Sequence, residues 1–284
     1  MMFVTDFDGT LYADDRTISN ADFETFEKLG KLGVKRVIAT GRSVYSALRV
    51  IPEHFPIDYL IFSSGAGVME WKNKNIIKSY SLNKIQIEQT LEILKENKCD
   101  FMLHKKIPDN HYFYYHKSSS AEGDFDKRCS IYSPYAKELN DKTLAEAEEA
   151  CQFIAVIPFD ALLSQTEIYE GLKEKLKKTK GLNIIRATSP IDKKTLWIEI
   201  FPDGVSKGLG VKTIADLLFL DYDSIGALGN DFNDLDMLRW VKKSFVVENA
   251  PAELKKEFIT VMSNNESGFT DAVNKYLNMT RGDT

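Results

Sequence analysis

Toward the N-terminus of this chain, short apolar runs alternate with segments of helical period. Met2-Phe3-Val4, Lys35-Arg36-Val37-Ile38-Ala39-Thr40 and Tyr59-Leu60-Ile61-Phe62 read as buried strands. Between the first two, Ser19-Asn20-Ala21-Asp22 has the form of a helix start, with a cap and an acid three residues on. Phe23, Phe26 and Leu29 then recur at helical spacing, and Gly33 ends the helix. A second helix carries Val44, Leu48 and Ile51. Strand, helix, strand, helix, strand predicts a parallel α/β sheet. Sites in such sheets form beyond the carboxyl ends of the strands, where Asp6, Thr40 and Ser63 all fall.

The texture then changes. Val68-Met69-Glu70 and Ile76-Ile77-Lys78 flank Asn73-Lys74-Asn75 and predict a hairpin. From about Leu82 to Ile200 the pattern becomes helix, strands, helix, strands. Helices are predicted near 84–97 and 164–179. Strands are predicted at Phe101-Met102-Leu103, Tyr112 to Tyr115, Phe153 to Val156, Asn183 to Ile185 and Leu196 to Phe201. Residues 118–150 are polar and lack a clear period. At Pro202-Asp203-Gly204 the first texture returns. Ser206 is placed to cap a helix carrying Leu209, Ile214, Leu217 and Leu218, and Ser224 to Leu228 is a strand. A helix, the strand Ser244 to Val247 and a last helix near 269–278 follow. The predicted class is α/β: a Rossmann-like, doubly wound, mostly parallel sheet core from 1–82 and 202–284, with an inserted α+β domain at 83–201.

Composition narrows the function classes. The 284 residues are 43% hydrophobic and 28% charged, a soluble globular balance. The net charge is −5, and no basic block or arginine stripe is present, which argues against nucleic acid as a partner. An anionic substrate must then be held by local cations and backbone N–H groups, because the global field does not attract it. Cys99, Cys129 and Cys151 form no close pair and are read as packing residues in a reducing compartment. No apolar run approaches the ~20 residues of a membrane span, and no signal peptide is evident. The expectation is a cytoplasmic protein without a membrane partner.

The chemistry begins at Asp6-Phe7-Asp8-Gly9-Thr10-Leu11. Residues i and i+2 of a strand point to one side, so Asp6 and Asp8 share a small space at a strand mouth. Two nearby carboxylates repel and need a proton, a cation or both. This fits a divalent-metal site, an acid/nucleophile pair, or both at once. Three further segments belong to the picture: Thr40 at a strand end, Lys207 opening a helix, and the acidic loop Gly229-Asn230-Asp231-Phe232-Asn233-Asp234. Phosphate-ester hydrolysis needs a nucleophile, an acid that later serves as base, and positive charge on the phosphoryl oxygens. Asp6, Asp8, Lys207 and the 230–234 loop supply these parts. Ser63, Ser64 and Gly65 are read as shaping a loop. His104, His111 and His116 interleave with lysines and tyrosines in the insertion, as a solvated strand face or a substrate-reading surface.

These motifs resemble the haloacid dehalogenase superfamily of phosphatases, in the Cof-like branch with a large α/β cap between the second and third motifs. Asp6 to Leu11 matches its first motif, Ala39-Thr40-Gly41-Arg42 the second, Gly204-Val205-Ser206-Lys207-Gly208 the third, and Gly229 to Asp234 the fourth. Val247-Glu248-Asn249-Ala250-Pro251 and Ser263-Asn264-Asn265-Glu266-Ser267-Gly268 also resemble that branch. The likeness covers the sheet domain end to end, and in the cap only size and alternation.

The resemblance implies roles. Asp6 would be the nucleophile and a Mg²⁺ ligand. Asp8 would be the general acid/base, with its backbone carbonyl on the metal. Thr40, Gly41 and Lys207 would hold the phosphoryl group. The fourth motif usually begins Gly-Asp, whereas this chain has Asn230, whose amide oxygen brings no charge to Mg²⁺. Asn230 or Asp231 would then complete the metal site, with Asp234 in or behind its shell. The implied function is Mg²⁺-dependent hydrolysis of a small phosphorylated metabolite, with a sugar phosphate foremost, through an aspartyl-phosphate. The cap would select the leaving group. A phosphomutase on the same scaffold and an impaired phosphometabolite-binding protein are the alternatives.

Overall fold

The strand Met2–Asp6 lies inside an eight-stranded sheet in the computed structural model, which describes residues 1–120, 122–157, 164–189 and 191–282. Across the sheet the order is Ile259–Val261, Lys243–Val247, Ile225–Gly229, Met2–Asp6, Lys35–Ala39, Tyr59–Phe62, Gly67–Glu70 and Asn75–Ser79. The first six run parallel, and Gly67–Glu70 turns back antiparallel.

Alternation along Met2–Asp6 explains why helices cover both faces. Met2 and Val4 pack with Val211, Ile214 and Ala215 of the helix Lys207–Leu217, and with Met237 and Leu238 of the helix Leu235–Trp240. Phe3 points the other way, where its ring meets Phe269 and Tyr276 of the helix Gly268–Gly282. Phe26, from the helix Asn20–Lys31, stacks on Phe269 with ring centroids 4.2 Å apart. A strand apolar on both sides is what a doubly wound parallel sheet requires.

The chain divides into two compact units. One comprises Met1–Arg42, Ala47–Lys78 and the chain from Ser206 onward; the other comprises Ser43–Ser46 and Ser79–Val205. Leu82, read from sequence as the end of the first sheet's domain, instead pairs with Ala150 of the second unit's sheet. That sheet runs in the order Leu182–Thr188, Leu196–Pro202, Glu149–Ile157, Asp100–Lys105, Phe113–His116 and Ala136–Glu138. All these pairings are antiparallel except the last, which is parallel. One face carries the helices Lys84–Glu96 and Gln165–Leu176 on a core that includes Phe101, Phe153 and Ile198. The other packs Met102, Ile154 and Trp197 against Phe125 of the helix Asp124–Ile131.

Three elements fall where the polar stretch 118–150 showed no period: Asp124–Ile131, Ala136–Glu138 and Asp141–Ala145. They are short, and the last buries no side chain. Its start is fixed by a capping exchange, in which Asn140 Oδ1 accepts from the Thr143 N–H and Thr143 Oγ1 accepts from the Asn140 N–H.

Candidate active site

Asp6 ends its strand directly opposite Ala39, so Thr40 comes one residue beyond it. On the other side Thr5 pairs with Leu228, which brings the loop after Gly229 alongside. The parallel order thus gathers segments far apart in sequence at one edge. Lys207 reaches the same edge as the first residue of its helix, whose N-cap Ser206 accepts from the Leu209 N–H at 3.2 Å. Gly65 permits that approach. It has a φ of +100°, and a Cβ there would lie 2.0 Å from the Ser206 carbonyl oxygen.

Asp6 is 4% exposed, Lys207 1% and Asp234 0%. The Lys207 ammonium donates to Asp6 Oδ1 and to Asp234 Oδ1, both at 2.6 Å. Thr10 Oγ1 donates to Asp6 Oδ2 at 2.8 Å. Lys207 has three N–H groups and spends two here, leaving one for an incoming oxygen. Burial pushes the Asp6 carboxyl up to about 7, against the pull of Lys207 and with added repulsion from Asp234 and Asp8. Burial also works against the Lys207 charge, but Asp234 and Asp6 outweigh it and hold the ammonium above its ordinary range. These directions describe one balance. A single cation is shared by two buried carboxylates, so it stays charged while Asp6 remains short of positive charge.

Asp234 turns both oxygens inward. Its Oδ2 accepts from the Asn230 N–H at 2.8 Å and the Asp231 N–H at 3.1 Å. It therefore braces Lys207 and the loop together. Asp231 gives its backbone N–H to this brace.

Asp8 faces a different partner. Arg42 Nε donates to Asp8 Oδ2 at 2.7 Å, and Arg42 Nη2 to Asp8 Oδ1 at 2.6 Å. Thr40 is fully buried; its Oγ1 accepts from the Arg42 N–H at 3.1 Å, which leaves its own hydroxyl hydrogen as a donor. Gly41 lies between them in the same turn. Ser63 and Ser64 are buried at φ of 49° and 51°. Their N–H groups donate to the Arg42 and Thr40 carbonyls at 2.8 and 3.0 Å, so this loop does shape its neighbour.

Thr10, Arg42 and Asn249 carry no assigned role in the sequence motifs that contain them. Asn249 Nδ2 donates to the Gly9 carbonyl at 2.8 Å, which ties down the turn after Asp8. The signal was their presence inside matched motifs. His104 also departs from expectation: it is 4% exposed rather than on a solvated face.

The expected Mg²⁺ can be tested against the donors present. Asn230 sits against the turn after Asp8, with its Nδ2 2.6 Å from where a Gly9 Cβ would stand. The Asp6 carboxylate, the Asp8 carbonyl and the Asn230 amide are oxygen donors of the kind Mg²⁺ takes, and it is the Asn230 nitrogen that faces Gly9. Three carboxylates, Asp6, Asp8 and Asp234, face two cations, Lys207 and Arg42, and the excess negative charge favours a cation. The residues fit the ion. Among the described residues, no three His, Cys, Asp or Glu side chains are grouped to hold a metal.

Known proteins are similar to this chain in sequence and fold. The family model described as haloacid dehalogenase-like hydrolase matches residues 3–277. A candidate phosphatase of Streptococcus pyogenes serotype M6 is 26% identical over 286 residues, 97% of this chain and 98% of its own. BT1666 of Bacteroides thetaiotaomicron, from a study of phosphatases of the haloalkanoate enzyme superfamily, superposes with a TM-score of 0.78 at 21% identity, covering 97% of this chain and 94% of its own. The subclass IIB sugar phosphatase BT4131 superposes with a TM-score of 0.74 at 16% identity, covering 97% and 98%. At these identities the structural likeness shows the fold.

Proposed function

The chain belongs to the haloacid dehalogenase-like hydrolase family, and we propose that it is a Mg²⁺-dependent phosphatase acting on a small phosphorylated metabolite. The observation that carries this reading is the Asp6–Lys207–Asp234 arrangement, in which one ammonium braces a buried carboxylate and keeps a donor for an anion.

In the first step an Asp6 carboxylate oxygen attacks phosphorus and forms an acyl-phosphate. The P–O bond to the leaving group breaks, and Asp8 gives that oxygen its proton. In the second step water attacks the same phosphorus while Asp8, now a carboxylate, takes the water's proton. Inorganic phosphate leaves, and Asp6 is restored. Lys207, the Thr40 hydroxyl and the Gly41 N–H hold the phosphoryl oxygens. Asp6, the Asp8 carbonyl and Asn230 would hold Mg²⁺, which when bound supplies further positive charge to those oxygens. A sugar phosphate is the favoured substrate class; the structurally similar BT4131 is a sugar phosphatase.

The test is phosphate release from an aryl phosphate with Mg²⁺ present. Asp6→Asn is expected to remove activity by at least about 10³-fold. Equal activity in that variant would overturn the mechanism. Asn230 favours a second reading, phosphometabolite binding without turnover. That reading predicts saturable binding with no release by the unaltered protein in the same assay.

A further inference from the structure

The Asp8–Arg42 pair carries a consequence for catalysis. Asp8 lies beyond the end of its strand and is partly exposed, so its carboxylate has little packing to hold it. Proton transfer to a leaving oxygen and then from a water depends on where that carboxylate points. An error of about 1 Å in such placement can cost about 10²-fold in rate.

We propose that Arg42 is a positioning residue whose guanidinium fork fixes the orientation of the Asp8 carboxylate for both proton transfers. This rests on the reading of Asp8 as the acid and base. The fork makes two parallel bonds, at 2.7 and 2.6 Å, which define the carboxylate plane. Each carboxylate oxygen keeps a further lone pair, so Asp8 can handle a proton while it is held. Lysine, with a point charge and no fork, cannot define that plane.

Arg42 is itself held on three sides. Its guanidinium carbon lies 5.6 Å from the centroid of the buried Phe7 ring. Its N–H donates to Thr40 Oγ1, and its carbonyl accepts from the Ser63 N–H. Ser63 and Ser64 sit side by side in left-handed backbone, a conformation that costs energy in non-glycine residues and persists where its surroundings enforce it. Gly65, next in line, backs onto Ser206 at the head of the Lys207 helix. One constrained loop therefore supports both Arg42 and Lys207. That accounts for an otherwise unfavourable backbone at Ser63 and Ser64.

The experiment compares kcat and KM of Arg42→Ala, Arg42→Lys, Asp8→Asn and Asp6→Asn on an aryl phosphate, with and without added guanidinium ion below denaturing concentration. Arg42→Ala is expected to lower kcat about 10²-fold with KM within about threefold, and guanidinium is expected to restore at least about tenfold. Arg42→Lys is expected to stay within about threefold of the alanine variant, and Asp8→Asn to show no rescue. Arg42→Lys keeps the aliphatic stem on Phe7, so it serves if the alanine variant does not fold. Near-normal kcat in either Arg42 variant, or a rise in KM alone, overturns the proposal. An inert Asp6→Asn with normal Arg42 variants refutes this inference only. A fully active Asp6→Asn refutes the aspartyl-phosphate mechanism on which the role of Asp8 rests, and no phosphate release by the unaltered protein refutes the phosphatase reading itself.

Discussion

Lys207 illustrates how much one side chain is asked to do. Taking an ammonium and two carboxylates out of water costs several kcal/mol per ion, which only close pairing offsets. Both Lys207 contacts are 2.6 Å, yet one positive charge still serves two negative ones. Asn230 bears on this deficit, because it stands where a carboxylate would add to it. Asn230→Asp is therefore expected to tighten Mg²⁺ binding by about tenfold, since a charged oxygen ligand replaces a neutral one. Calorimetric titration of the metal-free protein measures this directly, and an unchanged affinity would remove Asn230 from the metal site. At this scale Asp6, Asp8, Thr40 and Lys207 stand out in the sequence because each residue type suits one part of phosphoryl chemistry, and Gly41 stands out by its place in the matched motif. The partners were not legible. Nothing local says that Lys207 takes Asp234 or that Asp8 takes Arg42, because those pairs close over 27 and 34 residues of chain.

Among the elements, two helices end in the same geometry with opposite residue choices. After Asn20–Lys31, the Gly33 N–H donates to the Gly30 carbonyl and the Val34 N–H to the Leu29 carbonyl. After Lys207–Leu217, the Phe219 N–H donates to Asp216 and the Leu220 N–H to Ala215. Both are Schellman endings, whose left-handed position favours glycine. Gly33 fills it at φ 72°, whereas Phe219 fills it at φ 51° while 95% exposed. Left-handed backbone costs a side-chain-bearing residue roughly 1–2 kcal/mol, and glycine's extra freedom in the unfolded chain returns part of that. Phe219→Gly is expected to stabilise the protein by about 1 kcal/mol without changing kcat, as read by urea unfolding and by phosphate release. Lower stability would show that the Phe219 ring makes a contact worth more than the strain. Strong elements were readable here because cap and apolar period agree, as from Ser19 to Gly33. Asp124–Ile131 and Asp141–Ala145 were not, because short polar helices carry no apolar stripe and are positioned by their surroundings.

The whole molecule adds a dependence on pH, through its second unit. His104 Nδ1 meets the Asn110 carbonyl at 2.8 Å, and because a carbonyl only accepts, this nitrogen carries a proton. Burial, reinforced by the Arg128 charge and only partly opposed by that carbonyl, lowers its pKa to about 3. An unfolded histidine titrates near 6.5. Between these values the unfolded chain binds the extra proton, so stability is complete above about pH 6.5 and falls as pH drops toward 3. The limiting slope is about 1.4 kcal/mol per pH unit, or roughly 2 kcal/mol between pH 7 and pH 5. Asp6, raised to about 7, shifts stability the opposite way over the same range, so the His104 contribution is read as a difference: urea unfolding of the unaltered protein should lose roughly 2 kcal/mol relative to His104→Gln between pH 7 and pH 5. An identical pH dependence in both proteins would place the titrating group elsewhere.

The sequence by itself determined the α/β class, the order of the longer strands and helices along the chain, and the acids and cations at the strand ends. Those features rest on local physics: a period of two or 3.6, a cap, a strand that ends in charge. Only the tertiary structure decided that Ile225–Gly229 lies beside Met2–Asp6, and that Lys207 reaches back across 201 residues to Asp6. It also decided that Asp234 faces inward, that Asp8 is held by Arg42 and that His104 is buried. Strand order is set by the summed packing of two cores, and a charge finds its partner only after that order has brought the two together.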